Sequence, residues 1–315
     1  MDWLIIALAA YFLGALAIIL DKFLLGSGRF SSPPVYSFYI SLLGLGALIF
    51  LPFGFYIPSD QQIAVSLLSG ILFTFGILSL YYAISKAEAS RVAPVVGAVI
   101  PVISYFFSII LFGEELVTVQ ISGFLLLIFG GLLISFDLPL RINKRKFFAG
   151  FEHAILAGIL LAGAYVLFKC VYQEQNFFNG FIWTRFGSAL GIVGLFAVPR
   201  WRKDIFKSFK EIKKPTDTHY RTGFLLILNK IIGGTSSILL NYGFKIGSVT
   251  LINALVSSQY VFVLILATAA SFWHPKVFRE KLYFWDWAQK AAAIAIIAAG
   301  IYLISINLSS RIFPI

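Results

Sequence analysis

The chain has 315 residues, of which 59% are hydrophobic and only 12% charged. A water-soluble domain carries roughly 45–50% apolar and about 25% charged residues, so this chain has too little charge to clothe a surface in water. Its one cysteine, Cys170, excludes an internal disulfide framework, and the net charge of +11 is explained by where the bases lie rather than by a nucleic-acid surface.

Crossing hydrocarbon about 30 Å thick takes about 20 apolar residues, and ten spans would use about 200, close to what the composition supplies. In chain order, apolar stretches bounded by charge, Pro or Gly predict helices near 3–20, 35–56, 63–84, 90–112, 118–136, 148–169, 178–198, 222–244, 250–270 and 288–307. The first reads as a span and not as a cleaved signal. Asp2 stands where a positive n-region would be, and no small-residue cleavage site follows. The third and fourth spans are divided by the polar run from Ser85 to Arg91. Short links make neighbouring helices antiparallel. The predicted fold class is all-α integral membrane protein, with ten transmembrane helices.

Of the 25 Lys and Arg, five lie away from the odd-numbered links: Lys169, Arg185, Lys230, Lys245 and Arg311. The rest fall in the odd links, eight of them between Arg200 and Arg221. Basic residues resist translocation, so the odd links are expected in the cytoplasm and both termini outside, in a plasma or inner membrane.

Three offsets expose an internal repeat. A shift of 147 lays Lys22 on Lys169, Ser41 on Ser188, Gly44 on Gly191 and Pro52 on Pro199. A shift of 160 lays Leu80-Tyr81-Tyr82 on Leu240-Asn241-Tyr242, and one near 170 lays Gly130 on Gly300. Units over 1–140 and 141–315 follow. Five spans per unit is odd, so the second unit is inverted relative to the first. Inverted repeats commonly build alternating-access transporters with the solute near the midplane.

The stretch Ala89-Ser90-Arg91-Val92-Ala93-Pro94, the later Pro101-Val102, and Gly113-Glu114-Glu115-Leu116 followed by Gln120 and Gly123 resemble the EamA domain of the drug/metabolite transporter superfamily. In the second half Gly247-Ser248-Val249-Thr250 stands where the first has Ala-Ser-Arg-Val, while Trp273-His274-Pro275 and a charged insertion replace Gly-Glu. The resemblance implies ten helices in two inverted five-helix halves around a central cavity, moving small metabolites or drugs. It also implies cytoplasmic termini, against the charge count, which is retained here for this chain. The small multidrug resistance branch uses a glutamate embedded in its first helix; this first span has none, so proton-coupled export of cationic drugs is not expected.

Ionisable groups inside a span are functional candidates by default. Arg185 and Lys230 qualify, and with no Asp or Glu deep in any predicted span they suit an anionic or zwitterionic small organic solute. Helical spacing gathers Lys230, Gly234, Ser237 and Asn241 on one stripe of the eighth span, and Gly70, Thr74, Ile77 and Tyr81 on one of the third. Two such stripes would face each other across a cavity, or else pack closely through their small residues. Asn253 and Gln259 in the ninth span and Tyr165 in the sixth complete the candidate substrate-binding set. Glu114 and Glu115 are expected to cap or pair at the start of the next helix.

The stretch 201–214 has Trp201, Ile205, Phe209 and Ile212 at helical spacing among six bases, which predicts an interfacial helix against anionic headgroups. No nucleic-acid partner is expected. Three histidines without HExxH, GxSxG, a Walker motif or clustered metal ligands give no basis for an enzyme, a metal or a cofactor. The function expected is secondary transport of a small organic solute; the alternative is a lipid-handling or scaffold protein without a solute cycle.

Overall fold

A computed structural model describes residues 2–25, 32–86, 89–135, 150–211, 218–273 and 284–310. In hydrocarbon every backbone N–H and C=O must be satisfied within the chain, and helices do this segment by segment. The helices are α1 (Asp2–Leu25), α2 (Pro33–Gly44, continued as a 3-10 stretch Leu45–Phe53), α3 (Asp60–Lys86), α4 (Ala89–Phe112), α5 (Thr118–Ser135), α6 (Phe151–Glu174), α7 (Phe177–Phe196), α8 (Pro199–Glu211), α9 (Thr218–Ile246), α10 (Val249–Ala254), α11 (Val256–Trp273) and α12 (Phe284–Ser310). No strand occurs among the described residues.

Among the described residues, eight spans are long and apolar enough to cross a membrane, with α10 and α11 counted as one, or nine if α7 and α8, bent by 107°, form another. The chain is an all-α, multi-pass membrane protein. The ten spans expected exceed this count by one or two. The 29-residue α9 rises about 44 Å, long enough to cross. It is not in that set, and it carries Asn229, Lys230 and the run Gly233 to Ser237.

Local chemistry sets the breaks. Pro33 and Pro34 open α2, where their missing N–H groups cost nothing. The predicted second span loses α geometry after Gly44, and its 3-10 stretch carries Pro52 and ends at Gly54. The ninth predicted span breaks at Leu255 into α10 and α11. The sixth runs on to Glu174, five residues past Lys169. The link expected between the third and fourth spans includes 87–88, outside the described residues.

Helices of the first half pack chiefly on helices of the second. α3 lies against α6 and α7, α9 against α1, α4 against α6 and α10, and α5 against α12. The last crossing is reciprocal: a Cβ on Gly123 would meet the Gly300 carbonyl at 2.9 Å, and one on Gly300 the Gly123 carbonyl at 3.0 Å. Small residues bring the helices close here because lipid supplies no hydrophobic drive between them. Tyr165 packs against three of the four apolar clusters, which places it at the centre of the bundle.

Candidate functional site: a buried guanidinium between the halves

Asn176 starts α7 by accepting the Asn179 backbone N–H at 2.8 Å, and Arg185 follows about 12 Å further along the helix axis. Arg185 is 5% exposed. Phe181, one turn earlier on the same face, has its ring centre 4.5 Å from the guanidinium carbon. Phe73 of α3 and Phe168 of α6 lie at 5.6 and 5.8 Å. Gly44 of α2 closes another side, since a Cβ there would touch the Arg185 side chain at 3.4 Å. Elements of both halves therefore enclose one cation.

Its polar partners are few. A guanidinium carries five N–H donors. Nη2 donates to the Ser237 hydroxyl of α9 at 3.5 Å, the outer limit of a hydrogen bond, and no carboxylate pairs with it among the described residues. A charge at a helix centre costs at least about 2.5 kcal/mol, while a desolvated cation–π contact returns about 2 kcal/mol. Three rings can hold the charge in place, but among the described residues most of its donors have no acceptor.

Ser237 continues a polar chain. Its carbonyl and hydroxyl accept from Asn241 Nδ2 at 2.8 and 3.4 Å, and Asn241 Oδ1 accepts from the Tyr172 hydroxyl at 2.8 Å. Tyr165 borders the same region through ring contacts with Phe73, Phe168 and Phe244. Arg185, Ser237, Asn241 and Tyr165 are thus brought into one region.

Lys230 forms a separate point. It lies seven residues before Ser237 on α9, about 10 Å along the axis, and is exposed. Its ammonium is 6.0 Å from the Tyr36 ring of α2, and that ring sits 4.2 Å from Tyr81. Between Lys230 and Ser237, a Cβ on Gly234 would have nothing within 4 Å. The α9 stripe is therefore open where it passes α2.

The facing stripe on α3 is not. A Cβ on Gly70 would run into the Thr184 carbonyl and the Ser188 amide of α7. Thr74 donates to the Ser188 carbonyl at 3.2 Å and lies 3.0 Å from the Ser41 hydroxyl, so it fastens α3 to α7 and α2. Small residues on α3 pack a seam against α7, the close-packing alternative of the two readings given for that stripe. Asn253 donates to Ser104 of α4 at 2.8 Å, a bond between the halves, and Gln259 covers Gly14 of α1. Neither is beside Arg185 by any of these contacts.

Phe73, Phe168, Phe181, Tyr172 and Tyr36 were not singled out from the sequence. Only Phe181 carried a usable signal, its i−4 spacing from Arg185.

Glu114 joins the halves at one end of the bundle. Gly113, with φ +59°, closes α4 in the left-handed region that favours glycine. The carboxylate that follows accepts from the Ser248 and Thr250 hydroxyls at the start of α10, while Ser248 also accepts from the Leu251 N–H at 3.0 Å. Lys169 donates to the neighbouring Gly247 carbonyl at 2.8 Å. Glu114 thus serves α10 of the other half, not the adjacent α5, whose Val117 N–H is instead accepted by Gln120 at 3.2 Å.

Residues 1–136 match the EamA-like transporter family, and they include the Gly113-Glu114 turn just described. The first half of the chain is thus similar to the EamA-like transporter family. The chain is 36% identical over 89 residues to an uncharacterized protein of Methanocaldococcus jannaschii, covering 28% of this chain and 64% of that relative's length. A solved structure described as "Crystal structure of protein" superposes with a TM-score of 0.66 at 16% identity, over 98% of this chain and 97% of that one, and so shares the fold.

Proposed function

We propose that this protein is a secondary transporter that moves a small organic anion or zwitterion by alternating access between two inverted five-helix halves. Arg185 holds the acidic group of the solute. The reading rests above all on that side chain, buried where five helices from both halves meet, with unused donors and no counter-ion among the described residues. Ser237, Asn241 and Tyr165 line the same point, and Lys230 stands at the approach to it.

The packing supports the cycle. Offsets of 147 and 160 relate α2 to α7 and α3 to α9, so the α3/α7 and α9/α2 seams are equivalent in the repeat. The first is closed down to backbone contact, whereas α2 and α9 make no comparable contact. One closed and one open seam is the arrangement of a single state in a two-state cycle.

Counterflow of labelled organic anions into liposomes holding the purified protein tests the reading. Uptake by the native chain and its loss in Arg185→Ala is the expected result. Uptake of anions that survives Arg185→Ala, or counterflow confined to cations, overturns it.

A further inference from the structure

The helix α8 turns 107° away from α7 and so runs across the direction of the spans. Its apolar side is already occupied. Ile205 is fully buried, Phe209 meets the Phe38 and Tyr39 rings of α2 at 5.6 and 6.0 Å, and Trp201 meets Tyr82 at 6.3 Å. The Tyr39 and Ser208 hydroxyls are 3.2 Å apart. A helix is present over the expected stretch, and its apolar stripe packs on α2 and, through Trp201, on α3; Ile212, Lys213 and Lys214 lie outside the described residues.

What remains open is the flank one quarter-turn away. At 100° per residue, Phe206 falls between Arg202 and Lys203, and all three are exposed, Phe206 at 55%. The Phe206 ring lies 5.7 Å from Phe196, the last residue of α7. Leu190 and Val193, exposed at 47% and 65%, mark the face of α7 that meets hydrocarbon. The Arg202–Phe206–Lys203 flank therefore begins where a lipid-facing stripe ends, at headgroup depth. An aromatic ring at that depth with a base on either side seats its ring among the upper acyl carbons and its charges among phosphates. Arg200 and Lys207, also exposed, extend the basic surface.

We infer that this flank of α8 docks anionic phospholipid headgroups and, through Phe38 and Tyr39, ties α2 to the membrane surface. The inference stands on α8 alone and does not depend on what Arg185 binds. The test is amide hydrogen exchange of the full chain in nanodiscs of phosphatidylcholine alone and of phosphatidylcholine with about a quarter phosphatidylglycerol, since each base near an anionic surface is worth about fivefold in binding. Exchange in α8 is expected to slow severalfold with phosphatidylglycerol. Arg202→Gln with Lys203→Gln should erase the difference while α3 and α7 keep their native exchange. With the unaltered chain, high salt should erase it too. Identical α8 exchange in the two bilayers overturns the proposal, as does protection that survives the double substitution. Equal protection by soluble heparin over a neutral bilayer also overturns it, because the surface would then take any polyanion.

Discussion

A guanidinium in a bundle core without an acidic partner is a liability for folding. Removing a buried charge that has no partner and filling its place with an apolar chain is commonly neutral or stabilising, by up to about 1–4 kcal/mol. Arg185→Met should therefore hold or raise the melting temperature of the ligand-free protein, while abolishing the upward shift that a saturating organic anion gives the native chain. At a hundred times Kd that shift corresponds to about 2.7 kcal/mol. Arg185→Lys should recover little of it, because a lysine keeps the charge but not the planar fork or its stacking on Phe181. Differential scanning fluorimetry of the three proteins decides: a structural Arg185 would show a large fall in ligand-free stability. Arg185 and Lys230 were legible because a charge inside an apolar span stands out. The cage was not, since with aromatic residues at 17% of the chain no ring announces which side chain it faces. Thr74, Asn253 and Gln259 stood out equally, yet hydrocarbon makes every polar group seek a partner, and the contacts of Thr74 and Asn253 are with neighbouring helices.

Helix against helix, the same residue type has opposite uses in the two seams. On α3, Gly70 lets the backbone of α7 approach, and any side chain there must push the helices apart. Gly70→Leu should destabilise the protein by about 1–3 kcal/mol, the usual cost of overpacking, read as a lowered melting temperature. On α9, Gly234 faces open space, so Gly234→Leu should leave stability within about 0.5 kcal/mol of native. If α9 closes on α2 during transport, that substitution should nevertheless block counterflow, as a wedge in the seam. Normal counterflow in Gly234→Leu would mean that the seam does not close. The sequence offered both stripes and could not rank them, because periodicity says which residues share a face and nothing about which neighbour that face meets. Helix existence was easier to foresee, since long apolar runs admit little else; the breaks at Gly44 and Leu255 were missed because apolar composition continues through them.

For the molecule as a whole, sidedness follows from charge that folding cannot hide. The odd links carry most of the bases, whereas at the opposite end Lys169 is spent on the Gly247 carbonyl beside the Glu114 junction. A Lys or Arg in a short link is costly to translocate, and several in each of five links act in concert, so the odd links should remain cytoplasmic. Ser59, in the second link, and Lys86, at the start of the third, are both exposed and lie at opposite ends of α3. α3 has 27 residues and rises about 40 Å, so the two positions must be on opposite sides of the bilayer whichever way the protein sits. With Cys170→Ala to clear the background, Ser59→Cys should react with a membrane-impermeant maleimide on intact cells, and Lys86→Cys only after permeabilisation. The reverse pattern would place both termini in the cytoplasm, as the EamA resemblance implies, and would put α8 with its basic flank outside. Reaction at both positions in intact cells would remove α3 as a span, and with it the odd count of helices that inverts one half against the other.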